Sequence, residues 1–279
     1  MSLSGRAEGV ARLRRAIEEI EARSSSAAER RPEARLSLGA QLDARLGGGL
    51  AVDALHEIAP AAPADGAAAM GFALSLAARR LAEHRAAGLI VVEDFSACEM
   101  GALYGPGLAA HGLDLNRLIF VHAPDAATAF QAMEEALRSG APAFVLGEVW
   151  RLKAYDLTVS RRLLLAARGK ATLALMVLAG AYGAAEKISS AAETRFEIAA
   201  APSAHLNSAG GRGLPGRPTF SARIVKARLS GVGSAIGLDT ARRIRLVWRS
   251  EEQKFDEPAF PLSLVAAVDD RPRAGHVSR

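Results

Sequence analysis

Cysteine is almost missing from this chain of 279 residues: Cys98 stands alone. One thiol excludes an internal disulfide framework and any metal site built from several cysteines, and it fits a reducing compartment. Aromatic residues are scarce too, at 5% against 50% for all apolar types. The core must therefore be built from Ala, Leu, Val and Ile, which a chain of this length can bury in quantity. Long hydrophobic runs are lacking. The longest, such as Ala171–Ala181, falls well short of the roughly 20 residues that span a bilayer. The first 35 residues are charged throughout and hold no hydrophobic signal core, so the expected location is the cytoplasm, with no membrane contact. His56, His84, His111, His122, His205 and His276 show no metal-type spacing, and neither a nucleophile elbow nor a dinucleotide fingerprint occurs. No metal and no cofactor are expected.

A further absence sits inside the stretch that organises the chain, Leu36 to Arg80. It has the layout of a strand, a phosphate loop and a helix. A working loop of this kind carries Gly-Lys-Ser/Thr where the helix begins. Backbone N–H groups cradle phosphate, the lysine neutralises it, and the hydroxyl holds Mg²⁺. Here Gly66 is followed by Ala67 and Ala68, which argues against ordinary nucleotide hydrolysis.

What is present alternates. Strands are predicted over 54–58, 88–92, 118–121, 143–146, 172–178 and 196–200, and helices over 66–83, 125–138 and 156–167. Strands alternating with helices of this length predict an α/β domain with a mostly parallel sheet. Period-two segments at 220–229 and 244–248 predict antiparallel strands at one edge of it. Residues 6–23 read as an amphipathic helix, with Val10, Leu13, Ile17 and Ile20 at spacings of three and four. The domains expected are this helix and its linker (1–35), a core (36–250) and a flexible tail (251–279).

The net charge is +5, and the charge is concentrated. Between Ser203 and Arg249 lie Arg212, Arg217, Arg223, Lys226, Arg228, Arg242, Arg243 and Arg245 beside Arg249, against one acid, Asp239. Arginine suits phosphate through its bidentate fork. DNA contact, protein contact and a charged edge strand guarded against aggregation stand as equal readings. Only Phe220 and Trp248 offer aromatic surface in this region, so a base-stacking platform is poorly supported.

Several segments in order carry a resemblance. Gly39-Ala40-Gln41-Leu42-Asp43-Ala44-Arg45-Leu46-Gly47-Gly48-Gly49-Leu50, followed by His56-Glu57-Ile58, resembles the start of the RecA recombinase core. Asp156–Ala167, Ser190–Phe196 and Leu214–Pro218 are similar to the ImuA family of bacterial SOS mutagenesis proteins. The resemblance spans roughly 36–249. It implies a RecA-like fold and an accessory, non-catalytic role in damage-induced translesion synthesis. The implied partners are an ImuB-type Y-family polymerase homologue and an error-prone polymerase subunit, with RecA and DNA as further candidates. Carried across, the phosphate-loop lysine falls at Ala67 and the Mg²⁺ hydroxyl at Ala68. Glu148 stands near the position of the metal-positioning acid, and Glu93, Asp94 and Glu99 lie near that of the catalytic one. The alternatives are a divergent RecA-like DNA-dependent ATPase and a direct modulator of RecA filaments.

Overall fold

The computed structural model describes residues 34–203, 216–228 and 240–257. The helix expected over 6–23, Arg212 and everything beyond 257 lie outside the described residues.

Nine strands form one sheet: β3 (Leu55–Pro60), β4 (Gly88–Glu93), β5 (Leu118–Ala123), β6 (Phe144–Val149), β7 (Leu173–Leu178), β8 (Thr194–Ala200), β9 (Thr219–Ala227), β10 (Arg243–Arg249) and β11 (Lys254–Asp256). Their order is β11-β10-β9-β8-β3-β7-β6-β4-β5. From β8 to β5 every pairing is parallel, and β9, β10 and β11 add as antiparallel strands beyond β8. The α/β class, the mostly parallel sheet and the antiparallel C-terminal edge are as expected, and the whole is consistent with a RecA-like sheet. Two-residue strands β1 (Arg35–Leu36) and β2 (Leu50–Ala51) pair separately.

The central strands β3, β6 and β7 are buried along their whole length. Their near-continuous apolar composition follows from helices covering both faces. On one face lies α2 (Gly66–Glu83), which turns Met70, Phe72, Leu74, Leu76 and Leu81 into the core. Short α1 (Ala40–Arg45) contributes Leu42 on the same side, and α4 (Gly105–Ala110) contributes Leu108. On the other face pack α5 (Ala126–Ser139) and α6 (Leu157–Ala167). Each begins on an aspartate that accepts a backbone N–H in its first turn: Asp125 from Thr128 at 2.7 Å and Asp156 from Val159 at 2.8 Å. Gly47, Gly48 and Gly49 form the turn before β2, all with positive φ. At Gly49 a Cβ would overlap the Leu36 carbonyl, so only glycine fits.

The expected boundary at 250 is too early. Residues 251–257 turn back into the sheet as β11, where Phe255 is buried against Phe72 and Trp248. The Glu257 carboxylate then accepts the N–H groups of Gln41 and Leu42 at the start of α1. Acidic, polar sequence concealed one buried aromatic and a cap contributed from the far end of the chain.

Candidate functional site

In open parallel sheets ligands bind beyond the carboxyl ends of the strands. The loop after β3 and the ends of β4, β6 and β7 meet there. A single 3₁₀ turn, Pro63–Asp65, leads from β3 into α2. Asp65 turns its carboxylate onto backbone donors, accepting from Ala62 at 3.1 Å and Ala200 at 2.9 Å. One donor lies in the loop and the other at the end of β8, and a carboxylate held just before the helix start would repel a phosphate brought there. Gly66 is buried under the thioether of Met100, the last residue of α3 (Asp94–Met100). A Cβ at Gly66 would overlap the Met100 methyl and lie 2.9 Å from its Sδ. The tip of the Met100 side chain thus packs directly on the first residue of α2. Ala67 faces solvent and Ala68 packs against the core; neither brings charge or a hydroxyl.

Of the three acids near the end of β4, the structure singles out Glu93. It is buried, and its Oε2 accepts the N–H groups of Trp150 at 2.8 Å and Arg151 at 3.3 Å. Its Oε1 has no hydrogen-bond partner among the described residues. Asp94 starts α3 on the surface, 3.9 Å from His122, and Glu99 is exposed. Glu148 stands opposite Val92 on the neighbouring strand, inside β6 rather than after it. Burial first, with the charge of Glu93 and against the opposing pull of the Ser96 hydroxyl, pushes its carboxyl up to about 7. Among the described residues no group of three or more His, Cys, Asp or Glu is placed to hold a metal.

Above this pair lies an aromatic cluster that spacing in the sequence did not reveal. Trp150 packs edge-on against Phe95 (centroids 6.4 Å apart) and Tyr182 (6.3 Å), and the Arg151 guanidinium sits 4.2 Å above the Phe95 ring. The aromatics that sequence reasoning singled out, Phe220 and Trp248, are buried with Phe72 and Phe255. The chain supplies aromatic surface at the strand ends instead, from positions 95, 150 and 182.

The basic edge is largely satisfied from within. Arg223 pairs with Glu197 at 2.8 Å and Glu186 at 2.6 Å, and Arg243 joins the same Glu197. Arg217 reaches Glu251 at 3.5 Å, Arg249 binds Asp256 and Glu252, and Arg245 donates to the Pro202 carbonyl. The neutralising acids come from 186, 197 and 251–256, outside the window in which the excess was counted. Lys226 donates to Ser190 at 2.6 Å and has no acidic partner among the described residues; Arg228 and Arg242 are exposed. The histidines are structural where buried. His56 bonds Thr194 at 2.7 Å and the Ala51 carbonyl at 2.8 Å, and burial lowers it to about 4.

No family model matches the chain, and no curated protein sequence matches it. No helix among the described residues is long and apolar enough to cross a membrane.

Proposed function

We propose that this protein is a non-catalytic, RecA-like accessory factor of SOS-induced translesion DNA synthesis. It would hold an ImuB-type polymerase homologue and an error-prone polymerase subunit near damaged DNA or RecA. One observation carries the non-catalytic part: where nucleotide phosphates would sit, Met100 covers Gly66 and the Asp65 carboxylate occupies backbone donors. The scaffold persists while the chemistry is gone, as in a protein kept for its surfaces.

The surface best suited to a partner is the far sheet edge. Strand β5 (Leu-Ile-Phe-Val-His-Ala) carries no acid, lysine, arginine or proline, and Ile119 and Phe120 are 54% and 43% exposed. An unguarded apolar edge of this kind accepts an added strand. Copurification with the candidate polymerase subunits and RecA, with and without DNA, tests the reading. Ile119→Lys should abolish the association while leaving the melting temperature intact. Undiminished association of that variant would remove this edge from the account, and no association with any candidate would remove the adaptor role.

A second reading, a divergent ATPase, is favoured by the Glu93–Glu148 pair on neighbouring strand ends. It requires a lysine or arginine from another subunit, and saturable ATP binding would support it.

A further inference from the structure

Beside the satisfied edge lies a pocket that is not satisfied. It opens between β9 and the segment before β8, with a volume of about 480 Å³, in the range of ligand sites. Arg195 and Lys226 line it with Ser190, Thr240 and Glu186, and Arg228 stands at its rim.

The charges do not balance. The Arg195 guanidinium is matched by buried Glu57, 2.6 Å away, and is anchored to the Ala185 and Ile188 carbonyls. Glu186, the only acid on the wall among the described residues, is engaged by Arg223. Lys226 meets only the Ser190 carbonyl and hydroxyl, at 2.6 and 3.3 Å, and Arg228 makes no ion pair among the described residues. Among the described residues two cations are therefore left over, Lys226 half-buried in the concave wall and Arg228 exposed at its rim. Burial first, then repulsion from Arg228 and Arg195 against the attraction of Glu57, together hold the Lys226 ammonium down to about 8. An ammonium held this way gains from an incoming anion more than an exposed one does.

The neighbourhood indicates which anion. Arg217, Arg223, Arg243 and Arg249 are each answered by a carboxylate along the same edge. Those pairs remove the continuous positive stripe that a DNA backbone needs, since affinity for DNA grows with the number of phosphates neutralised. A concave site with two spare cations fits one or two carboxylates. We infer that the pocket of Lys226 and Arg228 receives acidic side chains, Glu or Asp, from an extended segment of a partner protein. The site is independent of the adaptor reading above, because its test reads peptide capture and needs no polymerase.

The probe is a fluorescein-labelled, N-acetylated oligoglutamate peptide, titrated with the full chain in low-salt buffer and followed by anisotropy. Binding should be saturable. It should weaken about ten-fold or more in Lys226→Met and in Arg228→Ala, the loss of one charge-assisted contact. It should be unchanged in Arg242→Ala, an exposed arginine away from the pocket. Arg228 is on the surface, so its variant folds whatever becomes of the buried one. Calorimetry near pH 8 in buffers of different ionisation enthalpy gives a second readout. The arriving carboxylate raises the Lys226 pKa, so binding takes up protons, and Lys226→Met abolishes that uptake. Three results would overturn the inference: no saturable binding, equal binding by the pocket variants and wild type, or displacement of the peptide by oligothymidylate.

Discussion

Arg195→Met is the perturbation whose outcome the structure constrains most tightly. Arg195 is 2% exposed and Glu57, its partner across β8 and β3, is 0% exposed. Methionine keeps most of the volume but removes the charge and the bonds to Ala185, Ile188 and Ser190. Among the described residues, Glu57 would then be a buried carboxylate held only by the Tyr155 hydroxyl. Breaking such a pair from one side costs about 3–5 kcal/mol. A chain of this size loses about 2–4 °C per kcal/mol, so a cost of about 4 kcal/mol corresponds to a fall of about 8–16 °C. Urea unfolding followed by fluorescence and circular dichroism measures it. Adding Glu57→Gln should recover part of the loss, because the stranded charge is removed. A loss under about 1 kcal/mol for Arg195→Met, or no recovery in the double variant, would refute the view that this pair pins the 185–190 segment to the sheet.

Glu148→Gln should change the pH dependence of stability. The Glu148 carboxyl titrates at about 7 when folded against 4.5 unfolded, so its proton stabilises the native state at low pH. That contribution is lost as pH rises from 4.5 to 7, about 3 kcal/mol in all. The variant should then exceed wild type by up to that amount at about pH 8 and match it at about pH 4 in urea unfolding; a less stable variant at about pH 8 contradicts the assignment. His56 acts with the opposite sign. Held at about 4 against 6.5, it costs stability as pH falls through that window, so Glu148→Gln should leave a chain whose stability declines on acidification from pH 6.5. Cutting the chain after residue 250 should destabilise it relative to a cut after 257, since β11 and the Glu257 cap are lost. The missing cap accounts for about 1 kcal/mol of the difference, read by thermal melting, and equal melting of the two would show that β11 contributes nothing.

Much of the fold was legible in the chain because its signals are local. The helix at 66–83 is as predicted because a long run rich in Ala, Leu and Met, all strong helix formers, stands between Gly66 and a polar His-Arg end. The buried strands were short apolar runs between turn residues; β3 to β6 end one to three residues later than predicted, and β7 and β8 end where predicted. The loop's lack of lysine and hydroxyl was equally visible at Ala67 and Ala68. What was not legible depends on distant residues. That Met100 covers Gly66 follows from the path of α3, and that Glu93 neighbours Glu148 follows from β4 and β6 being paired although β5 lies between them in sequence. The basic edge misled for the same reason. Counting charge from 203 to 249 could not include Glu186, Glu197 or Asp256, which the antiparallel strands bring alongside. The aromatic group at 95, 150 and 182 has no spacing to detect.

The proposed loss of phosphate binding is tested by equilibrium titration of the full chain with Mg²⁺-ATP: no saturable binding is expected into the millimolar range, and no change when Ala67 is replaced by a bulky residue. Saturable binding at micromolar ATP, abolished by that bulk, would contradict it.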